Sequence, residues 1–156
     1  DGYVIVGLTD HQVIDAYLSK LEEESEGTVL AAECFISQLV QSNSSTRRTW
    51  SNKMLSSITM ILFPINLTGN HWTLLVFHKD SKRRLFIDPV KSGQMYAPKQ
   101  ASLMNHINKL SELVDAKTGW KTRKWTCHQP AHCRQSDNYN CGVFLCFVSS
   151  HSPFIG

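Results

Sequence analysis

From Val13 onward, apolar residues recur at Val13, Ile14, Tyr17, Leu18 and Leu21, the spacing of one helix face, and Thr9-Asp10-His11-Gln12 ahead of them has the form of a capping box. The pattern predicts a first helix over about 10 to 24. A second is predicted from about Val29 to Val40, with Leu30, Cys34, Ile36 and Leu39 as its buried stripe, before a polar loop from Gln41 to Thr49. The period then shortens. The runs SITMILFPINL (57–67), HWTLLVFH (71–78) and RRLFID (83–88) are short and rich in β-branched and aromatic residues, and Lys79-Asp80-Ser81-Lys82 suits a hairpin turn between the last two. These runs predict the sheet. Beyond Pro98, at home in a first helical turn, Leu103, Met104, Ile107, Leu110, Leu113 and Val114 predict an amphipathic helix that stops before Gly119, and KTRKWTCHQ (121–129) reads as one more strand. With no internal repeat and no low-complexity linker, the pattern describes a single α+β domain over residues 1–156.

Composition narrows the classes. At 156 residues, 42% hydrophobic and 19% charged, the chain has ordinary globular make-up, which excludes intrinsic disorder. The net charge of +3 is carried by short runs, Arg47-Arg48, Lys82-Arg83-Arg84 and Lys121 to Lys124, so solvated surface is expected of them and nucleic acid is not an expected partner. Five cysteines, an odd number irregularly spaced, do not make a disulfide framework; reduced thiols in an intracellular compartment, nuclear or cytoplasmic, are expected. No apolar run approaches the ~18 residues of a membrane span and no signal peptide is visible, so no membrane partner is expected. The first residue is Asp1 rather than Met, as in a piece of a longer protein.

Four residues carry candidate chemistry. Cys141 stands between the turn-rich run Ser136-Asp137-Asn138-Tyr139-Asn140 and the apolar stretch from Val143 to Val148, which would place its thiol at a helix N-terminus, where unpaired N–H groups favour thiolate. Gly142 beside it would let a substrate backbone come close. A buried structural cysteine is the alternative, and it is the expectation for Cys34 and Cys146, which have apolar neighbours. His71, at the mouth of a strand after Thr68-Gly69-Asn70, is the best placed of seven histidines for a general base, though a surface or satisfied core histidine has the same local signature. Asp88 closes the next strand, so a hairpin would set it beside His71, able to accept the imidazole Nδ1–H; equally, Asp-Pro ends strands for purely local reasons. Gln135, six residues before Cys141, could donate to an oxyanion, or be an exposed loop residue.

Taken together, the order His71, Asp88, Gln135, Cys141 resembles the catalytic series of the Ulp/sentrin-specific protease family, cysteine peptidases acting on SUMO and related ubiquitin-like proteins. His71-Trp72 is similar to the family's His-Trp on a strand, Phe86-Ile87-Asp88 to its strand ending in Asp, and QSDNYNCG (135–142) to its Gln-to-Cys-Gly signature. Pro64-Ile65-Asn66 and the LTDHQVIDAYLSKL helix also resemble the family, so the likeness covers nearly the whole chain. It implies a papain-related fold, a small mixed sheet packed with helices and a nucleophile at the N-terminus of a central helix. It further implies no cofactor or metal, and a ubiquitin-like modifier or its conjugates as partner, cleaved after a Gly-Gly tail; a monomer is expected. Trp72 would lie over a tunnel that admits only glycines, and Asp10 would meet a basic residue of the substrate tail. Asn140 departs from the family's usual Asp, Gly7 from an aromatic and Thr9 from an Asn, and only 15 residues follow Cys141.

Three other readings compete. A catalytically silent module that binds a ubiquitin-like protein, and a polyprotein-processing protease of a virus or mobile element, fit the same motifs. Acyl transfer to an amine uses the same Cys-His pair. CHQPAHC (127–133) offers Cys127, His128, His132 and Cys133, but crowded together without a standard zinc spacing, so no metal site is expected.

Overall fold

The computed structural model describes residues 9–36, 56–67, 71–88 and 97–128, with side chains of the last segment from 101 onward. Helix α1 spans Asp10–Glu24. Its start is fixed where the sequence predicts, by the Thr9 backbone N–H donating to Gln12 Oε1 at 3.0 Å. Five strands follow: β1 (Val29–Ala31), β2 (Met60–Asn66), β3 (Trp72–His78), β4 (Arg83–Ile87) and β5 (Thr126–His128). Helix α2 (Ala97–Thr118) and a 3-10 turn (Thr122–Lys124) lie between β4 and β5. The strands form one sheet in chain order, β1-β2-β3-β4-β5, with parallel pairing at the two edges and antiparallel pairing inside. The sheet is therefore mixed.

Alternation along the strands sorts the core into two layers. Trp72, Leu74 and Val76 of β3 join Leu62, Leu85 and Ile87 against Ile14 and Leu18 of α1. Leu75 and Phe77 join Phe63, Ile65 and Phe86 against Leu103, Ile107, Leu110 and Val114 of α2. Phe63 and Phe77 meet edge-on, 5.6 Å between ring centroids, an arrangement worth ~0.5–1.5 kcal/mol beyond area burial.

Three predictions are corrected. Val29–Ala31 is a strand, not the start of a helix; helical residues begin only at Cys34, and 37–40 lie outside the described residues. The reason is its length: β1 has only three residues, all buried, and so short an apolar run reads like a buried helix segment. Val29 pairs with Met60, and Ala32 N–H continues the ladder to Leu62 O at 2.8 Å. Met104, assigned to the buried stripe of α2, is 37% exposed, while His106 and Ser111 are buried in that helix. Strand β5 is also shorter than KTRKWTCHQ predicts, because Thr122–Lys124 winds into the 3-10 turn.

Candidate active site

The β3–β4 hairpin builds the site. Ladder pairing runs from Leu74↔Ile87 to His78↔Arg83, so one step further puts Thr73 opposite Asp88. On the other side, Asn66 pairs with Trp72 and Leu67 N–H donates to His71 O at 2.9 Å, which pins the backbone of His71 to the end of β2. His71 shares its face with Thr73, Leu75 and Phe77. Asp88 shares the same face with Phe86. A histidine two residues before Thr73 and an aspartate opposite Thr73 are diagonal neighbours, within reach of each other's side chains.

They do meet. His71 Nε2 lies 3.0 Å from Asp88 Oδ1, with 20% and 11% of the two side chains exposed. The ring nitrogen facing the carboxylate is Nε2, which corrects the expectation of Nδ1. The difference has a chemical consequence. With the proton on Nε2 donated to Asp88, the neutral ring carries its basic lone pair on Nδ1, so Nδ1 is the atom able to take a proton from a nucleophile. Largely buried, the pair is also less screened by water than a surface contact.

The other predicted residues divide. Asp10 is the first residue of α1, exposed, and favourably placed at the positive end of the helix dipole. Trp72 is 3% exposed and belongs to the core layer against α1, on the face opposite His71. Cys141, Gln135 and Gly142 lie outside the described residues, as do Asn140, His132, Cys133 and Cys146. Of the two described cysteines, Cys34 is buried, as expected of a structural thiol, with Sγ 3.6 Å from His11 O. Cys127 stands on exposed β5, yet desolvation raises its thiol above the ordinary range, against the weaker opposing pull of the Arg84 guanidinium. Neither has the surroundings of a nucleophile.

Two further residues lie on the same face, one without a signal of its own in the sequence and one expected at the surface. Thr73 is wholly buried and donates its hydroxyl to Ile65 O at 2.9 Å, so its proton is not directed at the Asp88 carboxylate. Its position two residues after His71 is the signal that could have found it. Arg84, read as part of a solvated basic run, is 6% exposed. Its Nη1 donates to Asn108 Oδ1 (3.0 Å) and Ser111 Oγ (3.2 Å) of α2, while its Nε has no partner among the described residues. Strand parity turns it inward, whatever its charge.

With a buried imidazole–carboxylate pair at the end of a hairpin, comparison with known proteins becomes decisive. Residues 10–151 match the sequence profile of the Ulp1 protease family, C-terminal catalytic domain. The chain belongs to this family. It is thus a cysteine peptidase domain of the Ulp1 type, and its α+β architecture is the papain-related one. No curated protein sequence matches it. Among solved structures it is similar to the C-terminal Ulp1 protease domain in complex with Smt3, the yeast ortholog of SUMO. That likeness has 19% identity and a TM-score of 0.71, over 92% of this chain and 66% of that one. It is also similar to the SUMO protease Ulp1 with its catalytic cysteine oxidised to a sulfinic acid (16% identity, TM-score 0.72, 97% of this chain and 70% of that one). A third likeness is to the Xanthomonas campestris effector XopD bound to ubiquitin (17% identity, TM-score 0.57, 89% and 70%). The Ulp1-type chain described here thus spans about two thirds of the length of these structures.

Proposed function

We propose that the chain is a thiol isopeptidase or peptidase that cleaves after the C-terminal Gly-Gly of a ubiquitin-like modifier. The observation that carries this reading is the His71 Nε2 to Asp88 Oδ1 contact of 3.0 Å, in a chain of the Ulp1 protease family. Relatives of the same fold hold Smt3 and ubiquitin, which supports modifiers of that class as the substrate.

The chemistry follows from the tautomer. Asp88 holds the Nε2 proton, His71 Nδ1 accepts the proton of the Cys141 thiol, and the sulfur attacks the carbonyl carbon of the terminal glycine. The carbonyl oxygen becomes an oxyanion, for which the Gln135 amide and the Cys141 backbone N–H are the assigned donors. Collapse breaks the C–N bond, and Nδ1–H protonates the leaving lysine amine. Water, deprotonated in turn by His71, then releases the modifier from the thioester. Gly142 leaves room for the glycine tail beside the sulfur. Asp10 is assigned to a basic residue further along the substrate. Trp72, packed in the core layer against α1, is assigned to the wall of the channel that receives the glycine tail.

A modifier carrying a C-terminal Gly-propargyl electrophile tests the reading. Covalent labelling of wild type, none of Cys141→Ala, and labelling slowed by about 10²–10⁴ in His71→Ala are expected. Tight binding without labelling of wild type would establish a silent binding module instead. A panel of SUMO, ubiquitin and NEDD-type probes identifies the preferred modifier.

A further inference from the structure

Charge is distributed unevenly across the sheet. Residues 9–36, which form α1 and the β1 edge, hold seven acidic side chains and one lysine, a net of −6 (1 − 7). Toward the opposite edge, residues 79–83 and 112–124 together hold seven Lys or Arg and three Asp or Glu, a net of +4 (7 − 3).

The fold brings these cations together. Arg83 pairs with Thr126, and one step back along that parallel ladder Lys82 stands beside Trp125, with Lys124 next to it. Lys79 Nζ lies 5.7 Å over the Trp120 ring, which ties the β3–β4 turn to the residues after α2. Lys79, Lys82, Arg83, Lys121 and Lys124 are all exposed, and among the described residues none has an ion pair. Two of the three neighbouring acids are already engaged. Asp115 accepts from the Thr122 N–H and hydroxyl, both at 2.7 Å, and Glu112 pairs with Arg123 at 3.2 Å; only Asp80 stays in the turn as an opposing charge. Lys82 (φ 52) and Lys121 (φ 61) moreover hold left-handed backbone, where glycine is the unstrained choice. Both turns present a lysine there.

We propose that this basic edge is a docking surface for an acidic, extended polypeptide segment, contributed by the protein to which the modifier is joined. An extended peptide fits better than a nucleic acid. Trp125 stacks on Trp120 at 5.8 Å and Lys79 sits over the same ring, so the aromatic surface that stacks a nucleobase is already used. Four of the five cations are lysines, which contact carboxylates as point charges without fixing one geometry. The length of β3, seven residues or ~23 Å, separates this edge from His71 and Asp88, so its occupant is distinct from the glycine tail. Naming that occupant as the conjugated protein rests on the isopeptidase reading; binding itself does not.

Fluorescence anisotropy with a labelled oligoglutamate peptide, and with an oligothymidylate of equal charge, tests the surface. The peptide is expected to bind at ~50 mM salt and to weaken steeply by ~200 mM. Lys82→Glu/Arg83→Glu/Lys124→Glu is expected to weaken it about tenfold or more. Lys82→Gly/Lys121→Gly removes two charges while suiting the backbone, so it should weaken binding without lowering the melting temperature, which separates charge loss from misfolding. Absence of peptide binding, binding indifferent to these variants, or tighter binding of the oligonucleotide overturns the proposal. Propargyl-probe labelling of the same variants should be unchanged. If wild type is not labelled but the peptide binds, the isopeptidase reading fails and the docking surface stands.

Discussion

The two faces of the sheet are built from the same strands and do different work. Toward α1, the middle of β3 and β4 presents the apolar residues Trp72, Leu74, Val76, Leu85 and Ile87, and only the turn end carries the polar pair His78 and Arg83. Toward α2, the same two strands present Leu75, Phe77 and Phe86 in the middle, with His71, Thr73 and Asp88 at one end and Arg84 at the other. A side-chain period of two lets a single hairpin carry an apolar layer and a polar constellation without compromise between them. The apolar face fixes the register, and the register places the reactive pair.

If that division of labour is right, the largest effect of a conservative change lies at the reactive end. Asp88→Asn keeps the shape but loses the carboxylate that holds the Nε2 proton. Activity on a modifier with a fluorogenic leaving group should fall by roughly 10³–10⁴ in kcat/KM with the melting temperature nearly unchanged; a loss below tenfold would mean that Asp88 does not orient the base. Truncation in the middle of either face should act on stability instead. Leu74→Ala toward α1 and Phe77→Ala toward α2, both wholly buried, should each remove about 3–5 kcal/mol in urea unfolding. A much smaller value for one would show that its layer is loosely packed.

The smallest effect is expected at a buried charge. Arg84 holds two neutral acceptors and leaves Nε unpaired among the described residues, so Arg84→Met should change stability by less than about 1 kcal/mol or raise it. Leu85→Arg, one residue on and facing α1, should destabilise by several kcal/mol, because it would bury a guanidinium among the apolar side chains of that layer. Equal losses from the two changes would erase the distinction between the faces.

Helix α1, strands β2 to β4 and the turn at 79–82 were legible in the chain because each is bounded by local signals or long enough to show its composition: the Thr9–Gln12 box, the runs of five to seven β-rich residues, and the polar turn between β3 and β4. Strand β1 was not, since three buried residues are too few to tell a strand from the start of a buried helix. The pairing of His71 with Asp88 was readable from strand ends and a hairpin turn, but which ring nitrogen faces the carboxylate was not, because a side-chain torsion has no sequence signature.

By itself, the sequence determined the family, the strand that carries each reactive residue, and the positions of the imidazole and carboxylate at neighbouring strand ends, since these depend on spacing along one hairpin. Tertiary structure alone decided that Nε2 faces Asp88, that Arg84 turns inward against α2, and that opposite charges gather at opposite edges of the sheet. Each of these depends on which distant segment packs across a face, and that depends on contacts between residues far apart in the chain.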